Sequence, residues 1–224
     1  MRPAKMLNWL LEALWPHKCL SCGKESRGEA FCFHCEPSVR TLESEEAIFS
    51  FSGAIRKTIQ QVKFRPSEVK ARRLMGYLVE NAARCHPGLD PGSSKSLDPG
   101  SEAGVTGLAG ITFVPIHWRR RLKRGFDLSS IFALTLGTQL NLPVYDLLTQ
   151  SKFSKPLSLV KSKEERLKLT KDRYKLRKQI SPQKILLVDD IMTTGATLES
   201  AKSVLESAGH EVTCFALAKT PLSS

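Results

Sequence analysis

The chain has 224 residues, enough for one substantial hydrophobic core with a small module beside it. At 41% hydrophobic and 25% charged residues it is not a wholly disordered protein, and no stretch reaches the ~20 apolar residues of a bilayer span. The formal charge of +12 is focused: residues 119–124 hold five basic side chains and no acid, and residues 161–178 hold nine against three acids. An anionic partner, either a polyphosphate ligand or a nucleic acid backbone, is therefore expected, with two solvated basic faces as the bland alternative.

In chain order, Leu7, Leu10, Leu11 and Leu14 have the spacing of an amphipathic helix over residues 1–16, closed by Pro16. Asn8 and Glu12 interrupt its apolar run and no small-x-small cleavage site follows, so it does not read as a signal peptide. A cytoplasmic protein with reduced thiols is expected. Next comes Cys19-x₂-Cys22, then Cys32-x₂-Cys35, the spacing of a paired-knuckle tetrahedral thiolate site. Four thiolates complete the shell of a structural Zn²⁺; disulfides and iron–sulfur ligation are the alternatives, and His17 and His34 stand close by.

From Ala47 the alternation of Ile48, Ser50 and Ser52 with Phe49 and Phe51 predicts a strand running to Gly53. Two helices are expected to follow, one burying Ile55, Ile59 and Val62, the other, from Ser67 to about Arg84, burying Leu74 and Leu78, with Met75 and Ala82 as further candidates. Residues 86–107 contain the pentapeptide Leu-Asp-Pro-Gly-Ser twice within a Gly, Ser and Pro tract, which reads as a solvated insertion. Ile111 to Pro115 predicts a short buried strand, Leu128 to Leu140 a helix ending near Asn141 and Pro143. The chain closes on a strand at Lys184–Val188, a helix from Ala196 to Ala208 stopped by Gly209, and a strand at Val212–Ala218. This order predicts an α/β fold: a parallel sheet flanked by helices over residues 46–224, and a four-cysteine module over residues 1–45.

The most informative run is Ile185-Leu-Leu-Val-Asp189-Asp190-Ile-Met-Thr193-Thr194-Gly195-Ala196-Thr197. Two acids at the carboxyl end of a buried strand lie where open α/β sheets bind ligands. Each carboxylate can accept an O–H, so the pair suits two ribose hydroxyls, directly or through a bound Mg²⁺. The turn into the next helix offers backbone N–H groups and the hydroxyls of Thr193, Thr194 and Thr197 to a phosphate, and Gly195 and Ala196 permit close approach. A strand ending in an Asp N-cap is the plainer reading of the same residues. A second anion site is expected where Val114-Pro-Ile-His117-Trp-Arg119-Arg120-Arg-Leu-Lys-Arg124-Gly-Phe126 leaves the strand as a loop, its guanidinium groups gripping pyrophosphate. His117 alone reads as structural.

The run 185–197 resembles the phosphoribosyl pyrophosphate signature of the type I phosphoribosyltransferases. With the four-cysteine knuckle and the Pro-x-His, Arg-Gly-Phe segment, the chain resembles the ComF family of competence-related homologues of those enzymes. The resemblance implies that Asp189 and Asp190 hold the ribose 2′- and 3′-hydroxyls and act in catalysis, that residues 193–197 hold the 5′-phosphate, and that His117, Arg119, Arg120 and Arg124 face pyrophosphate. It further implies phosphoribosyl transfer with Mg²⁺ to a nitrogen acceptor, or a non-catalytic adaptor for single-stranded DNA or DNA-uptake proteins, with Phe126, Phe153 and Tyr174 near the basic runs as stacking candidates that read more simply as core. Asp127 stands where the family has Asn, Ser158 where it has Gln, and Leu169 where it has Asn, while Glu165 and Arg166 match. Thr193 occupies the place of the base-contacting acid of purine-salvage relatives, so no general base is visible.

Overall fold

The structure is a computed structural model that describes residues 18–42, 44, 46–85, 107–150 and 173–221, with side chains 82–85 excepted. The expected helix at 1–16, the repeat-bearing tract, Phe153, Ser158, Glu165, Arg166 and Leu169 lie outside the described residues.

Five strands make one all-parallel sheet in the order β1-β7-β6-β2-β3. They are β1 (Ala47–Ser50), β2 (Gly110–Phe113), β3 (Val144–Tyr145), β6 (Lys184–Met192) and β7 (Glu211–Lys219). A separate antiparallel pair joins β4 (Leu148–Gln150) to β5 (Tyr174–Leu176). The helices are α1 (Gly53–Phe64), α2 (Glu68–Cys85), α3 (Trp118–Arg124), α4 (Leu128–Leu140) and α5 (Ala196–Ser207). A parallel sheet must be covered on both faces, and it is. Leu186, Val188, Ile111 and Phe113 pack with α1, α2 and α4 on one side. Ile185 and Leu187 pack with Leu198, Ala201 and Leu205 of α5 and with Leu148 and Tyr174 on the other.

The expected strand to Gly53 is shorter than predicted. It ends at Ser50, all four of its residues are buried rather than alternating, and Gly53 opens α1. β1 is covered on both faces, which removes the solvent face that alternation would mark. The predicted strand at Lys184–Val188 runs on to Met192, because β7 continues to pair with it, Met192 opposite Lys219. The helix at Leu128–Leu140 matches its prediction end to end: the Asp127 carboxylate accepts from the Ser129 N–H, and Asn141 turns left-handed at φ 53°.

The cysteine-bearing residues are not an appendage in packing terms. Cys19, Leu20, Phe31 and Cys32 belong to the same buried cluster as Ile55, Ile59, Leu74 and Leu78. Phe31 meets Tyr77 of α2 edge-on at 5.1 Å, and the Tyr77 hydroxyl donates to Glu36. α1 is held at both ends: Ala54 N–H donates to Ser38 Oγ (3.1 Å), and Gln61 Nε2 donates to the Ser21 carbonyl (3.0 Å). Among the described residues no helix is long and apolar enough to cross a membrane.

Gly137 is the point where α4 touches the sheet edge. A Cβ there would lie 2.6 Å from Val144 Cγ2 and 2.9 Å from the Leu142 carbonyl. Alanine is intrinsically the better helix former by about 1 kcal/mol, yet overpacking against backbone costs about 1–3 kcal/mol. Gly137→Ala is therefore expected to lower the urea-unfolding free energy; an increase would show that α4 moves off the sheet at no cost.

Candidate functional site

The site forms where β6 outruns β2. Phe113 is the last β2 residue paired with β6, opposite Val188, so Asp189 and Asp190 emerge beside a strand that has already ended. Both acids are buried, at 7% and 8% exposure. Ser129 Oγ, on the first turn of α4, donates to Asp189 Oδ1 at 2.9 Å, and the Asp190 N–H donates to the same oxygen at 2.8 Å. Lys63 Nζ, from the last turn of α1, lies 2.6 Å from Asp190 Oδ2. Each acid thus has one oxygen engaged. Among the described residues no hydrogen bond engages Asp189 Oδ2 or Asp190 Oδ1.

Asp127 extends this network to the basic segment. Its Oδ2 accepts from the Ile116 N–H (2.9 Å) and its Oδ1 from the Ser129 N–H (3.1 Å). One carboxylate therefore caps α4, pins the chain leaving β2 and sets the serine that holds Asp189. Sequence reasoning did not find Lys63 or Ser129, and treated Asp127 only as a departure from pattern. An Asp directly before an apolar helical run is an N-cap signal that makes its capping half legible; nothing local marks Lys63.

Residues 117–124 are not the loop expected. They form α3, because Arg, Leu and Lys are good helix formers, the His117 ring accepts from the Arg119 N–H as a cap, and Gly125 closes the end. His117 is buried, and that burial, with Arg119 and Arg120 beside it, holds its pKa below the ordinary value. Arg120 is half-buried, and Arg173, Arg124 and Tyr174 lie within electrostatic reach of it. Arg119 instead stacks on the exposed Trp118 ring, 5.3 Å from its centroid. Phe126 and Tyr174 are buried core residues, not platforms for bases.

Thr193 and Thr194 are exposed; Gly195, at φ 77°, turns the chain and serves as the N-cap of α5, where Ala196 and Thr197 are half-buried. That left-handed conformation favours glycine, which brings the first turn's N–H groups to the surface directly after the acids. The turn and the acid pair are thus contiguous.

The four thiols converge. The sulfurs of Cys19, Cys22, Cys32 and Cys35 all lie within 4.8 Å of one another, with Cys22 and Cys32 3.5 Å apart. Tetrahedral ligation with Zn–S of about 2.3 Å needs sulfurs roughly 3.8 Å apart, so the spacing fits. Each pair is set by a tight turn, Gly23 N–H to the Cys19 carbonyl and Cys35 N–H to the Cys32 carbonyl. Burial raises the Cys19 thiol, but the N–H groups of Cys22, Cys32 and Ser21 outweigh it and the pKa falls to about 6; burial and the neighbouring sulfurs push Cys35 up to about 12. Such a cluster holds one thiolate readily and needs a cation to hold four.

Residues 122–222 match the phosphoribosyl transferase domain family. The chain is also 38% identical over 74 residues to "Competence protein ComFC" of Streptococcus pneumoniae, a match covering 28% of this chain and 34% of that one. Among solved structures it is similar to "the allosteric regulatory enzyme of purine biosynthesis" (17% identity, 65% of this chain, 25% of that chain, TM-score 0.38). It is similar also to the UMP synthase of Leishmania donovani (15%, 83% and 29%, TM-score 0.37) and to adenine phosphoribosyltransferase from Leishmania tarentolae (15%, 72% and 60%, TM-score 0.33). The chain spans about a third of the curated relative it matches and from a quarter to three fifths of these structures.

The buried acids carry a pH signature. Burial, then the charge of Asp190, pushes the Asp189 carboxyl from 3.8 to about 7, with Lys63 opposing. Burial pushes Asp127 to about 6, against the Ile116 N–H. Both exceed their unfolded values, so the contribution to stability is full below about pH 4 and is lost as pH rises through 6 to 7. Asp189→Asn is expected to flatten the fall in urea-unfolding free energy between about pH 5 and 7. A slope identical to wild type would contradict the burial-driven shift.

Proposed function

We infer that this chain, which carries a phosphoribosyl transferase domain over residues 122–222, binds phosphoribosyl pyrophosphate and transfers its phosphoribosyl group to a nitrogen acceptor. The observation that carries this reading is the buried acid pair with one unengaged oxygen on each carboxylate, immediately ahead of a glycine-turned helix N-terminus. Two such acceptors match the two O–H groups of a vicinal ribose diol. The exposed N–H groups at the turn and the hydroxyls of Thr193, Thr194 and Thr197 suit the 5′-phosphate.

In the reaction, a nitrogen nucleophile attacks C1 of the ribose as the C1–O bond to pyrophosphate breaks, through a cationic, oxocarbenium-like transition state. The pyrophosphate leaves with the bonding electron pair, and the nucleophile's proton passes to solvent or an unidentified base. Asp189 and Asp190 hold the ring, and carboxylate charge near the developing positive charge favours that state. Arg120, with Arg124 beside it, supplies positive charge for the departing group; His117 supports α3 rather than touching ligand. Bound Mg²⁺ would neutralise the pyrophosphate and would take oxygen ligands, which the acid pair can offer. The thiol cluster suits a Zn²⁺ with a structural role, because four thiolates leave no open position.

A second reading is favoured by one observation: Trp118, 57% exposed, opens the basic α3. An exposed aromatic among arginines suits a non-catalytic adaptor that stacks bases of single-stranded DNA or docks a DNA-uptake partner. The name of the Streptococcus pneumoniae relative, a competence protein, is consistent with such a setting.

Calorimetric titration with phosphoribosyl pyrophosphate and Mg²⁺ is expected to give saturable binding that is abolished in the folded Asp189→Asn/Asp190→Asn variant. Equal affinity in wild type and variant removes the assignment, and no binding to either leaves the adaptor reading. For the thiols, purified protein is expected to carry one zinc ion per chain. Co²⁺ substitution should give thiolate charge-transfer bands, and Cys32→Ser should lower the unfolding temperature; a metal-free protein of unchanged stability would refute the site.

A further inference from the structure

Lys63 has no role in the reading above, yet it makes the direct ion pair to the acid site. Lysine side chains normally stay solvated, because ordering a long flexible stem costs entropy. This one is 24% exposed and lies with Nζ 2.6 Å from a carboxylate that is itself 12% exposed. It reaches Asp190 from a separate element, α1, held at the N-terminal end by Ser38 on the Ala54 N–H and at the C-terminal end by the Ser21 carbonyl on the Gln61 side chain. Lys70 Nζ, donating to Gln61 Oε1 at 2.5 Å, secures the second clamp. The cation is thus delivered by a fixed scaffold. Its stem starts directly after Val62 and one turn beyond Ile59, both fully buried, so α1 cannot rotate to withdraw it without uncovering core.

We propose that Lys63 is a positioning residue for diol recognition: by engaging Asp190 Oδ2 it fixes that carboxylate so that Oδ1 accepts one ribose hydroxyl while Asp189 Oδ2 accepts the other. Ser129 does for Asp189 what Lys63 does for Asp190, each tethering one oxygen of one acid. The two tethers come from different helices, which sets the spacing between the two unengaged oxygens. An untethered Asp190 swings between rotamers, and the pair then no longer matches a rigid vicinal diol. The structural alternative is that Lys63 merely offsets charge and complements the C-terminal end of α1. That role would weaken every ligand alike. A diol-positioning role weakens only ligands that present the diol.

The inference rests on the ribose 5-phosphate reading, and the two fail differently. Zinc-loaded full-length protein would be titrated with ribose 5-phosphate and with 2-deoxyribose 5-phosphate, as wild type, Lys63→Met, Lys63→Arg, and Lys57→Met as a charge control on the same helix. Lys63→Met is expected to lose about tenfold in affinity for the ribose ester and less than about twofold for the deoxy ester, so discrimination collapses. Lys63→Arg restores most of it and Lys57→Met leaves it intact. Equal loss for both esters, or unchanged discrimination, overturns the proposal while leaving the pocket. Wild type that binds neither ester sinks the ribose-phosphate reading itself and the proposal with it. Should Lys63→Met not fold, the Lys63→Met/Asp190→Asn double variant removes both charges together. Its discrimination is then expected to equal that of Asp190→Asn alone, and a further loss would overturn the proposal.

Discussion

Adjacent carboxylates repel, and in a poorly solvated site the repulsion is not screened away. At ~4 Å, with an effective dielectric near 20, two like charges cost roughly 4 kcal/mol. Much of the architecture around Asp189 and Asp190 is a response to that constraint. Ser129 and a backbone N–H share Asp189 Oδ1, and Lys63 sets a positive charge on Asp190. Asp127, a third buried acid nearby, is tied by two N–H groups. Each partner arrives from a different segment: α4, α1 and the chain leaving β2. The site is therefore a junction of the fold rather than a property of one loop.

The thiol cluster meets the same difficulty with a different remedy. Four sulfurs within 4.8 Å cannot all ionise unaided: backbone N–H groups bring Cys19 down to about 6, whereas burial and then the neighbouring sulfurs push Cys35 up to about 12. A divalent cation resolves that conflict, whereas the acid pair relies on protein groups and leaves two oxygens for a ligand. The cysteine module also packs on α2 through Phe31 and Tyr77, and its Ser21 carbonyl accepts from Gln61 of α1. Its geometry thus feeds into the placement of α1.

What was legible in the sequence follows from how local each signal is. The helix at Leu128–Leu140 declared itself because both stops, Asp127 and Asn141, are side-chain signals within the segment. The acids, the glycine turn and the cysteine knuckles were equally local. The strand at Ala47 was overextended because its apparent alternation carries no meaning where both faces are covered, and Gly53 served as a helix start. α3 was read as a loop because five charged residues hide the caps at His117 and Gly125. Lys63 and Ser129 were missed because their partners are distant in sequence, and no periodicity on α1 or α4 distinguishes a polar residue facing water from one facing an acid.

The placement of β1 also bears on how the chain is made. Among the strands of the sheet, β1 pairs with β7, the strand at Glu211–Lys219, and Ala216 N–H donates to the Glu46 carbonyl just before β1. A ribosome emitting this chain releases the thiol knuckles, β1 and α1 long before the strand that seats them. The knuckles close over a short span and can form at once, but β1 must wait, exposed, for nearly the whole remaining length to be synthesised. Such long-range parallel pairing slows folding and prolongs exposure of an apolar strand. In the folded sheet, residues 40–42 cover the other edge of β1: Ser50 N–H donates to the Arg40 carbonyl and Leu42 N–H to the Ile48 carbonyl. That short antiparallel cover closes the outer edge of the finished sheet, so the strand that waits longest for its partner does not, once seated, offer an open edge to another molecule.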